Sequence, residues 1–283
     1  MSTYPVIWNG EWIENGERGL PAWDRSFHFG DGFFETFRAV NHCPLFLDRH
    51  LERGKRAMER MGMDLPADWN EAAITSMVTK LLEEHGCRNG RFRLTGSRAG
   101  KGAYTPETDK VNLLVEMTGE TTESFEFPAK GVRIGTYEGM IKHPGLLSCF
   151  KGTSAAIYVM AKRWARANGF DEALILGSSG TPIESASSNL FLIHGDRLIT
   201  PPIEEGCVDG VMRSVLIDVA REQGWQAEHA QLRVSDLLEA EEILLSNAVQ
   251  GIQPVSAFKD QRYFKEKGKR LLQGLNERAF SSG

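Results

Sequence analysis

No run of apolar residues in this 283-residue chain is long enough to cross a bilayer. The opening MSTYPVIWNGEW has neither the basic segment nor the apolar core of a secretory leader. Cysteine is sparse: Cys43, Cys87, Cys149 and Cys207 are scattered, with no Cys-x-x-Cys pair and no histidine at metal-ligand spacing. That pattern argues against a zinc site or a disulfide framework and fits a reducing compartment. Basic charge is not in excess, with 33 Lys and Arg against 38 Asp and Glu, a net −5. Nucleic acid is therefore not expected as a partner, and any cations serving an anionic ligand must be locally focused. Neither an internal repeat nor a low-complexity tract is present. These absences lead to the expectation of a cytoplasmic protein with no metal and no membrane partner. Its 41% hydrophobic and 25% charged content is enough for one large or two modest cores.

The most informative stretch runs from Cys149 to Ile193. Lys151 stands between Phe150 and Gly152, ahead of a segment with apolar Ile157, Met160, Ala161 and Trp164 at helical spacing. Thr153 and Ser154 are its candidate N-caps and Gly169 its stop. A strand over 172–176 follows, then a Gly-Ser-Ser-Gly turn, Glu184, a small polar run to Asn189, and a second strand over 190–193. A lone lysine and a lone carboxylate thus border apolar elements. A lysine amine whose surroundings lower its proton affinity can hold a carbonyl cofactor as a Schiff base. Pyridoxal phosphate additionally needs an acid opposite its ring nitrogen. By spacing alone the ordinary reading is a snorkelling lysine and a loop glutamate.

Elsewhere, residues 6–13 read as a hairpin about Asn9-Gly10, and 33–40 as a strand turning at Asn41-His42 into 45–47. Asp48 is placed to cap a helix over 49–61, on which Arg53 and Arg56 share a face. A helix from 68 or 70 to 84, strands over 90–98, 111–117 and 132–137, and a polar linker at 119–127 follow. Further on come a hairpin about Gly195-Asp196, a helix from Gly210 to near Gln223 and a short helical turn at Val234. A strand over 241–246 and an amphipathic helix over 265–280 complete the pattern. Gly210 before its helix exposes backbone N–H groups suited to a phosphate. By itself Arg53 reads as a solvated helix charge.

RSFHFGDGFFET, HLERGKRA, GFDEALIL, GTPIESASSNLFLI, EEGCVDGVMR and ILLSNAVQGIQPV together resemble the class IV aminotransferase family, the fold type IV pyridoxal-phosphate enzymes. The resemblance implies an α+β fold of two domains. A small N-terminal α/β domain covers 1–118, and a larger C-terminal pseudo-barrel domain covers 128–283 and binds pyridoxal 5′-phosphate. By the same resemblance Lys151 carries the cofactor, Glu184 pairs with its ring nitrogen and Arg53 binds its phosphate. Val211 and Met212 offer backbone amides, and Ser188, Asn247 and Ala248 complete the cofactor set. Ala248 departs from the threonine of several relatives, so a contact there would come from the backbone or from Asn247. A homodimer is also implied.

The branches of the family differ in their loops. Ala156 stands where branched-chain enzymes commonly carry tyrosine, five residues after the lysine. Lys101-Gly102-Ala103 stands where D-amino-acid enzymes carry Arg-x-His. AGKGAY, DGVMR and SNAVQGIQPV are similar to the 4-amino-4-deoxychorismate lyases. That likeness implies a small anionic amine substrate, cleaved to pyruvate and 4-aminobenzoate. Lys101 is the first candidate to bind it, with Arg25 and Arg93 behind. An aminotransferase on branched-chain or D-amino acids is the alternative.

Overall fold

The computed structural model describes residues 5–14 and 21–280. Contacts within the chain divide it into two units, Met1–Glu123 with Phe150–Ser154, and Ser124–Cys149 with Ala155–Gly283. No helix among the described residues is long and apolar enough to cross a membrane.

The first unit contains β1 (Val6–Trp8), β2 (Glu11–Ile13), α1 (Arg25–Phe29), β3 (Gly32–Val40), β4 (Cys43–Pro44), α2 (Leu47–Met61), α3 (Glu71–Glu84), β5 (Gly90–Arg98) and β6 (Val111–Glu120). Its strands form one antiparallel sheet in the order β2-β1-β6-β5-β3-β4. Phe37 of β3 stacks on Phe92 of β5 with ring centroids 5.9 Å apart, both fully buried. Asn70 caps α3 by accepting from the Ala73 N–H at 3.0 Å. Helix α2 passes so close to Trp69 that a Cβ on Gly54 would lie 2.1 Å from its ring. Residues 150–154 are sewn to β3. The Phe34 N–H donates to the Lys151 carbonyl at 2.8 Å, and the Thr153 N–H and hydroxyl both donate to the Gly32 carbonyl.

Several local expectations change here. The return strand at 45–47 is instead the two-residue β4. Asn41 and His42 both adopt positive φ, which makes a tight turn pairing Val40 with Cys43 at once. Phe46, at φ 55°, then throws the chain into α2 two residues earlier than expected, and Asp48 lies in the first turn rather than at the cap. Strand β6 continues to Glu120, which pairs with Gly90, so residues 119 and 120 are strand rather than linker. Helix α1 is an element that the sequence pattern does not signal, and the Asp24 carboxylate caps it through the Ser26 N–H.

The second unit contains β7 (Val132–Lys142), α4 (Ala156–Ala167), β8 (Glu172–Gly177), β9 (Pro182–Ser185), β10 (Asn189–His194), β11 (Arg197–Thr200), α5 (Val211–Glu222), β12 (Gln226–His229), α6 (Val234–Glu239), β13 (Glu242–Asn247), β14 (Gly251–Phe258), β15 (Gln261–Arg262) and α7 (Glu266–Phe280). Strands β10-β13-β14-β7-β8-β9 close into a ring, because β9 pairs with β8 on one side and, through Glu184 and Asn189, with β10 on the other. This closed ring is the expected pseudo-barrel. Every residue of β8 and the first five of β10 are buried, as continuous apolar strands covered on both faces require. Ala161 and Ala165 of α4 pack on Ala173 and Ile175 of β8. Helix α4 starts at Ala156 with no side-chain cap, since the hydroxyl of Thr153, an expected cap, is bonded to Gly32. A register shift between Tyr137 and Ile141 lets β7 run on to Lys142, beyond the expected end.

The Gly54 approach gives a direct test of how tightly α2 is set. Gly54→Ala should overpack against Trp69 and destabilise the protein by about 1–3 kcal/mol, read as a lower urea midpoint at unchanged slope.

Candidate active site

In the first unit the residues gather around Phe34 and Glu35 of β3. Pairing with β3 fixes the Lys151 backbone, and its Nζ lies 5.4 Å from the centroid of the Phe34 ring. The Arg93 guanidinium of β5 lies 3.7 Å from the centroid of the same ring. Two cations therefore meet one aromatic side chain. Burial draws the Arg93 proton affinity down, against the attraction of Glu116.

Arg53 is no solvated helix charge. It is 3% exposed and grips Glu35 bidentately, Nε to Oε1 at 2.8 Å and an Nη to Oε2 at 2.5 Å. His50, one turn earlier on α2, places Nδ1 2.6 Å from Glu35 Oε2. Facing a carboxylate, that nitrogen carries the proton. Burial alone would push the Glu35 carboxyl up, but the Arg53 charge and the hydrogen bonds from His50 and Arg53 hold it down to about 2. Burial lowers His50 despite Glu35, and its Nε2 is enclosed with no partner among the described residues.

Of the substrate candidates, Arg25 is buried and serves the backbone. It pairs with Asp31 at 2.8 Å and donates to the carbonyls of Lys101, Gly102 and Ala103 at 3.2, 3.2 and 2.8 Å. It thereby staples the loop that exposes Lys101, whose Nζ is 5.4 Å from the centroid of the Trp23 ring.

In the second unit Glu184 of β9 is 2% exposed and receives three donors. Lys142 Nζ and the Tyr158 hydroxyl donate to Oε1 at 2.6 and 3.1 Å, and the Val208 N–H donates to Oε2 at 2.8 Å. Lys142 Nζ also lies 2.7 Å from the Tyr158 hydroxyl. Burial, reinforced by the Glu184 charge and hydrogen bond, pushes the Tyr158 phenol strongly up. Burial and the Glu184 charge push the Cys207 thiol to about 12.

Next to this cluster, Gly210 caps α5, where neither a capping side chain nor a first-turn acid answers the helix end. No larger residue fits, because a Cβ would lie 1.9 Å from Asn189 Oδ1. Asn189 is itself anchored by donating to the Val208 carbonyl at 2.7 Å. Val211 and Met212 are the first two residues of α5. The structure also brings Ser188 and Asn247 together, Asn247 Nδ2 donating to the Ser188 hydroxyl at 2.9 Å. Asn247 Oδ1 accepts from the Val249 and Gln250 amides, a turn that spans Ala248. The neighbouring Ser246 hydroxyl is buried without a partner among the described residues.

Sequence reasoning missed Glu35, His50, Lys142, Tyr158, Asn189 and Ser246. Two signals were available. Glu35 is a lone acid in an apolar strand pattern, and His50 precedes Arg53 by one helical turn.

The amino-transferase class IV family model matches residues 32–258. The chain is similar to an aminodeoxychorismate lyase of Bacillus subtilis, 28% identical over 268 residues, covering 92% of this chain and 88% of that protein. It is similar to a D-alanine aminotransferase of Bacillus licheniformis, 25% identical over 257 residues, covering 90% and 89%. Its fold matches a hypothetical aminotransferase of Mycobacterium tuberculosis in its PLP-bound form, with a TM-score of 0.85 at 21% identity, covering 99% and 100%.

The buried Glu35 cluster makes acid stability testable. A carboxyl held down when folded stabilises above its unfolded value near 4.5, and that contribution is lost as pH falls towards about 2. Its full size is on the order of 3 kcal/mol. Lowered His50 acts in the same direction, its loss beginning below about 6.5. Glu35→Gln should be less stable at pH 7, leaving Arg53 buried without its carboxylate, and should lose less on acidification below pH 4.5, measured by denaturant unfolding across pH.

Proposed function

Because this chain belongs to the class IV aminotransferase family, we propose that it is a pyridoxal-phosphate-dependent lyase that splits 4-amino-4-deoxychorismate into pyruvate and 4-aminobenzoate. The observation that carries this choice is the Arg93 guanidinium lying against the same Phe34 ring as the Lys151 amine. An arginine beside the reactive amine suits a substrate bearing carboxylates. The 28% identity to the Bacillus subtilis lyase supports the same branch.

The residues present fit the cofactor. The end of α5 is open to a phosphate, since no side chain or first-turn acid answers it. The Ser246 hydroxyl is a buried polar atom without a partner among the described residues. Glu184 uses three of the roughly four lone-pair positions of a carboxylate, which leaves one for a ring nitrogen.

Bound pyridoxal phosphate supplies the electron sink that makes a proton on the amine-bearing carbon removable. In this reading Lys151 holds the cofactor aldehyde and Glu184 its ring nitrogen. Arg53 and the amides of Val211 and Met212 hold the phosphate, with Ser188 and Asn247 at the neighbouring turn. The Lys151 amine would be the base that takes the proton from the carbon bearing the substrate amine. Loss of that proton would let the enolpyruvyl group on the adjoining carbon leave with its C–O bonding pair as enolpyruvate, which takes a proton at carbon to become pyruvate, while the substrate ring becomes aromatic. Arg93 and Lys101 hold the two carboxylates, and Arg25 fixes the loop that carries Lys101.

Purified enzyme supplied with an aminodeoxychorismate-forming system should release 4-aminobenzoate and pyruvate in equal amounts. Amino transfer from D-alanine or a branched-chain amino acid to 2-oxoglutarate, without 4-aminobenzoate, would replace this assignment with a transaminase. Arg93→Gln should raise KM for the dianion by about tenfold or more, as loss of a charge-assisted hydrogen bond of about 1.5–3 kcal/mol requires, with a smaller change in kcat.

A further inference from the structure

Lys142 is absent from every sequence motif above, yet it makes the shortest contact to Glu184, 2.6 Å from Oε1, with its side chain 11% exposed. It arrives there because β7 bulges between Tyr137 and Ile141 and resumes pairing through Lys142 and Gly177. Three elements present titratable groups to the carboxylate. These are Lys142 from β7, Tyr158 from α4, and Cys207 from the segment before α5, with Arg213 and Asp209 acting on Cys207 in turn. Burial pushes both the phenol and the thiol up, so both stay neutral at ordinary pH. Lys142 therefore brings the cationic charge in this group to Glu184.

Resting on the reading of Glu184 as the partner of a pyridine ring nitrogen, we propose that Lys142 is a positioning residue that weakens the carboxylate's hold on the ring proton. The geometry gives it two means. First, Lys142 and Tyr158 together occupy Oε1, so the acceptor position left for a ring N–H lies on Oε2, which Val208 already orients. Second, a carboxylate already facing an ammonium attracts a second positive charge less than a lone carboxylate does. The ring nitrogen is thereby set between the fully protonated state a bare carboxylate enforces and the neutral state of a ring without an acid. The strength of the electron sink follows from that setting.

The test uses protein reconstituted with pyridoxal phosphate carrying 15N in the ring, with the nitrogen chemical shift followed against pH. Removing one unit charge at this range changes a neighbouring proton affinity by about tenfold or more. Lys142→Met should therefore move the ring titration up by about one pH unit or more, and Lys142→Arg should restore it. Superimposable curves for wild type and Lys142→Met would overturn the proposal. Lys142→Gln is measured in the same way and decides the matter if the methionine variant does not fold. Glu184→Gln separates the two levels. If it leaves the ring signal unchanged, Glu184 is not the ring partner and the underlying reading fails. If it shifts the signal while Lys142→Met does not, only the role of Lys142 is lost.

Discussion

Taking a carboxylate out of water costs several kcal/mol unless cations and N–H donors replace its hydration. Two of the buried carboxylates, one in each unit, show how the chain meets this demand. Glu35 is answered by the forked donors of Arg53 and by His50. Glu184 is answered by an ammonium, a phenol and a backbone N–H. The two solutions differ in kind. The bidentate Arg53 clamp is rigid and ties α2 to β3. The Glu184 set is mixed, with one acceptor position left over.

Particular backbone features bring these donors in. The close pass of α2 at Gly54 lets Arg53 and His50 reach β3. The bulge in β7 delivers Lys142, and the anchoring of Asn189 on Val208 steadies the amide that faces Glu184. Arg25 performs the comparable service for the loop at 101–103, spending its donors on three carbonyls.

Much of the framework was legible because its signals are local. Asn9-Gly10 does turn β1 into β2, Asn70 does cap α3, and the alternation in 90–98 marks β5. What escaped depends on partners distant in sequence. Thr153 reads as a helix cap, but its hydroxyl is claimed by Gly32, 121 residues away. Strand β12, Gln-Ala-Glu-His, has no apolar signature and exists because β11 offers it a parallel edge. Family-like wording singled out Lys151, Arg53 and Glu184. It did not single out their neighbours, since Glu35 lies 18 residues from Arg53 and Lys142 lies 42 from Glu184, and only the fold closes those gaps.

The five residues that carry the lysine belong by packing to one unit, while the chain on either side belongs to the other. The polypeptide accordingly passes between units at 123/124, 149/150 and 154/155, three times in all. An odd, threaded path of this kind defeats modular inheritance. A gene fragment ending at the first passage would encode the six-stranded sheet without Lys151, and one beginning there would encode Lys151 without the strand that pins it. Recombination at the 123/124 seam would therefore break the pairing between β3 and residues 150–154 in both products.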